Sequence, residues 1–253
     1  MDRLIYSSLS AMRGAMARQA TTANNLANAN TTGFRAEMAS VRPLWIQAAG
    51  GRNGGLETRA AASEEVVSAD MRGGAVTETG RNLDIALDGD ALLAVQAQDG
   101  EESYTRRGDL AISPGGLLVT GDGAPVLGET GPITMPPADD IRIDAQGVIW
   151  YRAQGADPIQ PMQQLDRLKL VSPTGSRIAK GLDGLFRVEG GGALPSDPEA
   201  RVTAGSLEGS NVNATQALVD MIDASRAWEM QIKLVTTAKE LDNSGADLMR
   251  LPD

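Results

Sequence analysis

A chain of 253 residues with no cysteine and no histidine can form no disulfide and no thiolate or imidazole metal site. It also lacks Ser-His-Asp and Cys-His nucleophile systems. A formal charge of −10 argues against nucleic acid, which needs a dense basic face, while 29 glycines, 12 prolines and 3% aromatic residues predict many turns around an aliphatic core.

The opening residues, MDRLIYSSLSAMRGAMARQ, are interrupted by Arg3, Arg13 and Arg18. They lack the apolar segment of a cleavable signal and read as an amphipathic helix. No run of eighteen apolar residues occurs anywhere, so no membrane insertion is expected. Ile5, Leu9, Met12, Met16, Ala23 and Leu26 recur in steps of three and four, broken at Gln19, and form a narrow seam. Alanines at 11, 15, 17, 20, 23 and 27 keep the other faces slim enough for close helix packing. The helix is expected to stop near residue 30, with Gly33 as a left-handed cap and Phe34 as the apolar residue that follows it.

Residues 36–80, containing Pro43 and glycines 50, 51, 54 and 55, read as an extended connector. Over 81–205 short apolar runs follow one another: LDIAL, ALLAVQA, LLVT, IRI, VIWY, RLKLV and LFRV. Asp-Gly, Thr-Gly and Pro-Gly-Gly turns separate them, which predicts an antiparallel sheet or small barrel rather than βαβ units. A second helix falls within 206–253, with Asn213 as N-cap and the Gln216 amide returning to it. On it, Leu218, Met221, Ile222, Trp228, Ile232 and Val235 share one stripe, while Leu234, Ala238, Leu241 and Leu248 continue on a rotated one. The expected class is α+β: a discontinuous helical domain from residues 1–35 and 206–253, plus a central all-β domain.

Fully burying each large apolar side chain is worth roughly 1.5–3 kcal/mol, so both helices require a partner. Two arrangements satisfy this, an intramolecular hairpin on the β-body or packing between chains. Gly-rich connectors, and more apolar surface on the last helix than the slim first one covers, favour the second.

Little in the chain suggests chemistry. The acidic pairs Asp139-Asp140, Glu64-Glu65 and Glu101-Glu102 place adjacent carboxylates on opposite sides of a strand, as solvated surface does. Asp88-Gly-Asp90 opens like a calcium loop, but residues 92–95 are Leu-Leu-Ala-Val and supply no ligands. The glycines around 50–55 have neither phosphate-loop nor dinucleotide spacing. Asn30-Thr-Thr and Asn213-Ala-Thr match the glycosylation triplet but fall where helix caps are wanted. No catalytic residue, cofactor or metal is expected.

Three separated stretches nevertheless form a pattern. Asn25-Leu-Ala-Asn-Ala-Asn-Thr-Thr-Gly-Phe-Arg35 resembles the N-L-A-N-x-N-T-x-G-F-K signature of the flagellar axial proteins of rod and hook. LDIALDGDALLAVQAQDGEESYTRRGDL with GLLVTGDGAPVLG is similar to that family's L-D-V-A-I-x-G-x-G-F-F-x-V, Y-T-R-x-G and V-L-G segments. Glu208-Gly-Ser-Asn-Val-Asn213 and Met221-Ile-Asp-Ala-Ser-Arg-Ala-Trp-Glu-Met230 resemble S-N-V-N and M-I-x-x-Q-R-A-Y-E-M. Leu92-Leu93 and Trp228 depart from the family's aromatic pair and Tyr but keep an apolar role. RAEMASVRPLWIQ lacks the F-x-D-L stretch of the distal-rod type and fits the proximal-rod type better.

The resemblance implies a structural, non-enzymatic subunit whose terminal helices pair in the inner layer of a helical tube, with the β-domain outside and the connector packed between neighbours. Its implied partners are further copies, other rod proteins and the flagellar type III export apparatus. The implied location is the basal-body rod in the periplasmic space, reached without a cleaved signal. Subunit packing would fall on Ile5, Leu9, Met12, Met16 and Leu26; on Asn28, Gly33 and Phe34; on Asn211 and Asn213; and on Leu218, Met221, Ile222, Trp228, Ile232 and Val235. Termini that order only on docking are expected. A distal-rod or hook subunit, a secreted β-rich hydrolase with dimerising helices, and a surface adhesin are the alternative readings.

Overall fold

Apolar residues spaced by three and four at both ends fold as helices, and the short apolar runs between them fold as strands. The computed structural model describes residues 2–43, 62–157 and 159–249. Two compact units emerge, one of Met1–Ala27, Glu37–Ser68 and Asn213–Asp253, the other of Asn28–Ala36 and Ala69–Val212.

In the first unit, helix α1 (Asp2–Ala27) lies against helix α2 (Ala214–Met249). Small side chains fill this contact: Ala15, Thr21 and Ala217 are buried, and Ala11, Ala224 and Ala227 half-buried. Larger apolar residues divide between half-buried positions, Met12, Leu26, Met221, Trp228 and Val235, and exposed ones. Leu9, Met16, Leu218, Ile222 and Ile232 remain 43–56% exposed. Strands β1 (Glu37–Pro43) and β2 (Ala62–Ala69) pair with each other, and β1 packs on α1. The stretch expected as a connector over 36–80 therefore contains paired strands. Its residues 44–61, including the Gly-rich run, lie outside the described residues.

The second unit begins with β3 (Val76–Glu78), β4 (Ile85–Leu87), β5 (Leu92–Gln96), β6 (Glu102–Thr105), β7 (Leu110–Ile112) and β8 (Leu118–Thr120). Then follow β9 (Ala138–Ile143), β10 (Val148–Ala153), β11 (Gln163–Arg167) and β12 (Leu170–Val171). The last are β13 (Ile178–Lys180), β14 (Phe186–Val188), β15 (Val202–Ala204) and β16 (Ser206–Glu208). A five-stranded sheet has the order β12-β5-β6-β14-β13 and a three-stranded sheet the order β11-β10-β9, while β15-β4, β16-β3 and β7-β8 form ribbons. Their pairings are antiparallel. Among the described residues no barrel closes, because the strands are short and change partner too often to share one continuous sheet.

Strand β5 holds the core together. Its alternate residues Leu93 and Val95 join Leu110, Leu118, Ile149 and Leu170 in one apolar cluster. Leu92 and Ala94, on the opposite face, join Tyr104, Val171, Phe186 and Leu194 in a second. Burial on both faces explains why ALLAVQA is almost continuously apolar.

Candidate functional site

Past α1 the chain reverses through two successive turns. The Thr31 amide donates to the Asn28 carbonyl at 3.1 Å and the Phe34 amide to the Thr31 carbonyl at 3.2 Å. The Thr31 hydroxyl also donates to Asn28 Oδ1 at 3.1 Å. Gly33 adopts φ 66°, but α1 ends at Ala27, too early for Gly33 to be its cap. A Cβ at Gly33 would overlap the Arg106 carbonyl group. The glycine is therefore required by a close approach between distant segments rather than by the helix end. Phe34 carries the Lys180 ammonium 3.6 Å from its ring centroid, and Lys180 Nζ donates to the Arg35 carbonyl at 3.0 Å.

The second signature, Ser210–Asn213, reaches the same place. Asn211 Oδ1 accepts the Ala36 amide at 2.7 Å, and Asn211 Nδ2 donates to the carbonyls of Asp70 at 2.8 Å and Arg72 at 2.9 Å. The Asn211 amide donates to the Phe34 carbonyl at 3.3 Å and the Gly33 amide to the Glu208 carbonyl at 2.8 Å. Of the residues singled out from sequence, Gly33, Phe34 and Asn211 are thus brought together, although they come from opposite ends of the chain.

Beneath this seam sits a buried ionic cluster. Glu208 Oε1 accepts from Arg35 Nη2 at 2.6 Å and from the Gly74 amide at 2.9 Å. Its Oε2 accepts from Arg106 Nε at 2.9 Å and Nη2 at 2.6 Å. Arg106 also donates to the carbonyls of Leu87, Gly89 and Ala91 at 2.6–2.8 Å. Burial lowers the Arg106 pKa from its ordinary value, and the Glu208 charge opposes that shift. Arg35 Nε and Nη1 are buried without an acceptor among the described residues. The roles of Arg35, Arg106 and Glu208 are not legible locally, since charged residues in an acidic chain read as surface until the fold places them.

On the helices, Asn213 Oδ1 accepts the Gln216 amide at 3.1 Å, the expected N-cap. The Gln216 side chain does not return to the cap and donates instead to Asp220 Oδ1 at 2.8 Å. Asn25, missed as a site residue, accepts the Glu37 amide at 2.8 Å and donates to the Glu37 carbonyl at 2.9 Å, fixing β1 on the end of α1. Met12, Leu26, Met221, Trp228 and Val235 are half-buried. Ile5 and Leu248 lie on the helices with side chains outside the described residues.

Three acids of these pairs have structural partners. Asp139 accepts the Gly155 amide, Asp140 faces Arg142, and Glu102 holds Lys169 and the Tyr104 hydroxyl. The Glu64-Glu65 side chains lie outside the described residues.

Three family models match in chain order. "Flagella basal body rod protein" covers residues 5–35, "Flagellar hook protein FlgE/F/G D1 domain" covers 86–151, and "Flagellar basal body rod FlgEFG protein C-terminal" covers 203–248. The outer two take in most of the helices and both sides of the Gly33–Asn211 seam, and the middle one takes in β5 to β9 and most of β10. The class so defined is the axial structural proteins of the flagellar rod and hook.

The chain is 42% identical to the flagellar basal-body rod protein FlgF of Escherichia coli over 97% of its own length and 96% of that protein. It is 40% identical to the FlgF of Salmonella typhimurium over 99% of its length and 100% of that protein. With the rod protein FlgG of Bacillus subtilis the identity is 31%, over 99% and 100%. The chain belongs to the FlgF family of flagellar basal-body rod proteins, the structural subunits of the rod.

Proposed function

We propose that the chain builds the proximal part of the rod by polymerising through α1 and α2, contributing to a tube that transmits torque and encloses the export channel. One observation carries this reading: both helices keep large apolar side chains exposed beside the half-buried Met12, Leu26, Met221, Trp228 and Val235. Leu9, Met16, Leu218, Ile222 and Ile232 are 43–56% exposed. Burial between subunits recovers roughly 25 cal/mol for each Å² of apolar surface removed from water. A contact between two different patches that does not close into a ring grows into a helical polymer, the geometry a rod requires. The partners are further copies and other rod proteins. Delivery by the flagellar type III export apparatus to a periplasmic rod, without a cleaved signal, belongs to the same reading.

Introducing a carboxylate on this surface tests it. Ile232→Asp, in cells that lack their own copy, should leave the chain out of purified basal bodies and abolish swimming. The thermal melting of the β-body should be unchanged. Normal swimming with the variant would refute polymerisation through this face.

A further inference from the structure

Helix α2 carries a second, differently composed surface. Val219, Ile222, Arg226, Met230 and Lys233 follow one another in steps of three and four and line one face. All five are exposed, the three apolar members at 47–62%. No ion pair among the described residues engages Arg226 or Lys233. The face is therefore apolar with two cations outside any such ion pair, flanked on the helix by Asp223 three residues before Arg226 and Glu229 four before Lys233.

On another side of the same helix, within the same unit, is a surface groove of about 460 Å³. Asp220, Asp223, Ala224 and Ala227 line it from α2, with Arg18 of α1 and Glu37 at the start of β1 opposite. Three carboxylates against one guanidinium leave it anionic. The small side chains of Ala224 and Ala227 leave room for a long aliphatic stem whose charged end reaches the acids.

We infer that this groove receives the Arg226 and Lys233 face of α2 from a second copy of the chain. The inference rests on the rod reading and assigns its contact surfaces. The two patches are complementary in charge. Because they lie on different sides of α2, one helix can offer its cationic face to one neighbour and its groove to the next. Such a contact is heterologous and does not saturate at a dimer. Charge complementarity matters here because each chain carries a formal −10, so copies repel unless cations and carboxylates meet locally. Apolar burial alone leaves two helices free to slide, whereas paired charges fix their register.

Charge reversal with compensation tests the contact. The groove variant Asp220→Lys with Asp223→Lys, and the face variant Arg226→Glu with Lys233→Glu, are each made in the full chain. Each is expressed in flagellated cells lacking their own copy and measured by immunoblot of purified basal bodies. Each alone should reduce incorporation by roughly tenfold or more, since like charges then face each other. All four changes in one chain restore the complementarity with its sign inverted, and incorporation should recover most of the way to wild type.

Wild-type incorporation of either two-residue variant would overturn the inference. So would a four-residue variant that incorporates no better than either parent while its β-body melts at the wild-type temperature. Failure of the underlying reading has a separate signature, a wild-type chain absent from basal bodies.

Discussion

Glu208 is a single carboxylate shared by two buried guanidinium groups, with side chains of Arg35, Arg106 and Glu208 only 1–3% exposed. Its value lies less in attraction than in what its removal leaves behind. Glu208→Gln strands two cations away from water, and losing one partner of a buried pair costs about 3–5 kcal/mol. Urea unfolding of the full chain, followed through the β-body, should show a loss of that order. Arg35→Lys should cost far less, because it keeps a cation for Glu208 and deletes Nε and Nη1, which have no acceptor among the described residues. Tyr104 gives a pH signature. Burial pushes its hydroxyl up to about 12; the Leu194 amide, 2.5 Å away, opposes this, and the nearby Glu102 carboxylate adds to it. The folded state thus holds the proton above the ordinary value of 10. The stability this contributes is intact below pH 10 and is lost as pH rises through 12. Tyr104→Phe should be about 1 kcal/mol less stable at neutral pH, through its lost hydrogen bonds. Relative to wild type it should decline less between pH 10 and 12, as chemical denaturation across that window would reveal.

Among elements, features with local causes were the ones readable from sequence. Asn213 was legible as a cap because its partner amide is only three residues away, and Asn213→Ala should weaken α2 by about 1 kcal/mol. Circular dichroism near the helix melting transition would register the change. The runs LDIAL, ALLAVQA and VIWY coincide with β4, β5 and β10 because burial writes itself into composition. Strand β3 leaves no mark in the sequence, since Val76, Thr77 and Glu78 are all exposed and its pairing with β16 depends on backbone groups that no side-chain pattern records. Gly33 resembles a helix cap in sequence for the converse reason, its actual constraint being the distant Arg106 carbonyl. Periodicity also placed the seam of α1 on its large residues, whereas the paired helices meet through Ala15, Thr21 and Ala217.

At the scale of the whole molecule, the two units differ in what stabilises them. The unit of Asn28–Ala36 and Ala69–Val212 contains both apolar clusters, with Leu92, Leu93, Val95 and Leu118 fully buried. The helical unit buries mainly alanine and threonine between α1 and α2. Ordering a residue costs on the order of 1–2 kcal/mol in backbone entropy, and small side chains return little of it through burial. Helices of 26 and 36 residues held by such a contact should open readily in the dilute monomer and close when neighbours cover Leu9, Met16, Ile222 and Ile232. Amide hydrogen exchange distinguishes the states. In a verified monomer, residues 9–27 and 214–241 should exchange far faster than β5 and β6; in isolated basal bodies their protection should approach that of the strands. Equal protection of helices and strands in the monomer would mean that the helical unit is stable alone, leaving assembly to contribute affinity without folding anything.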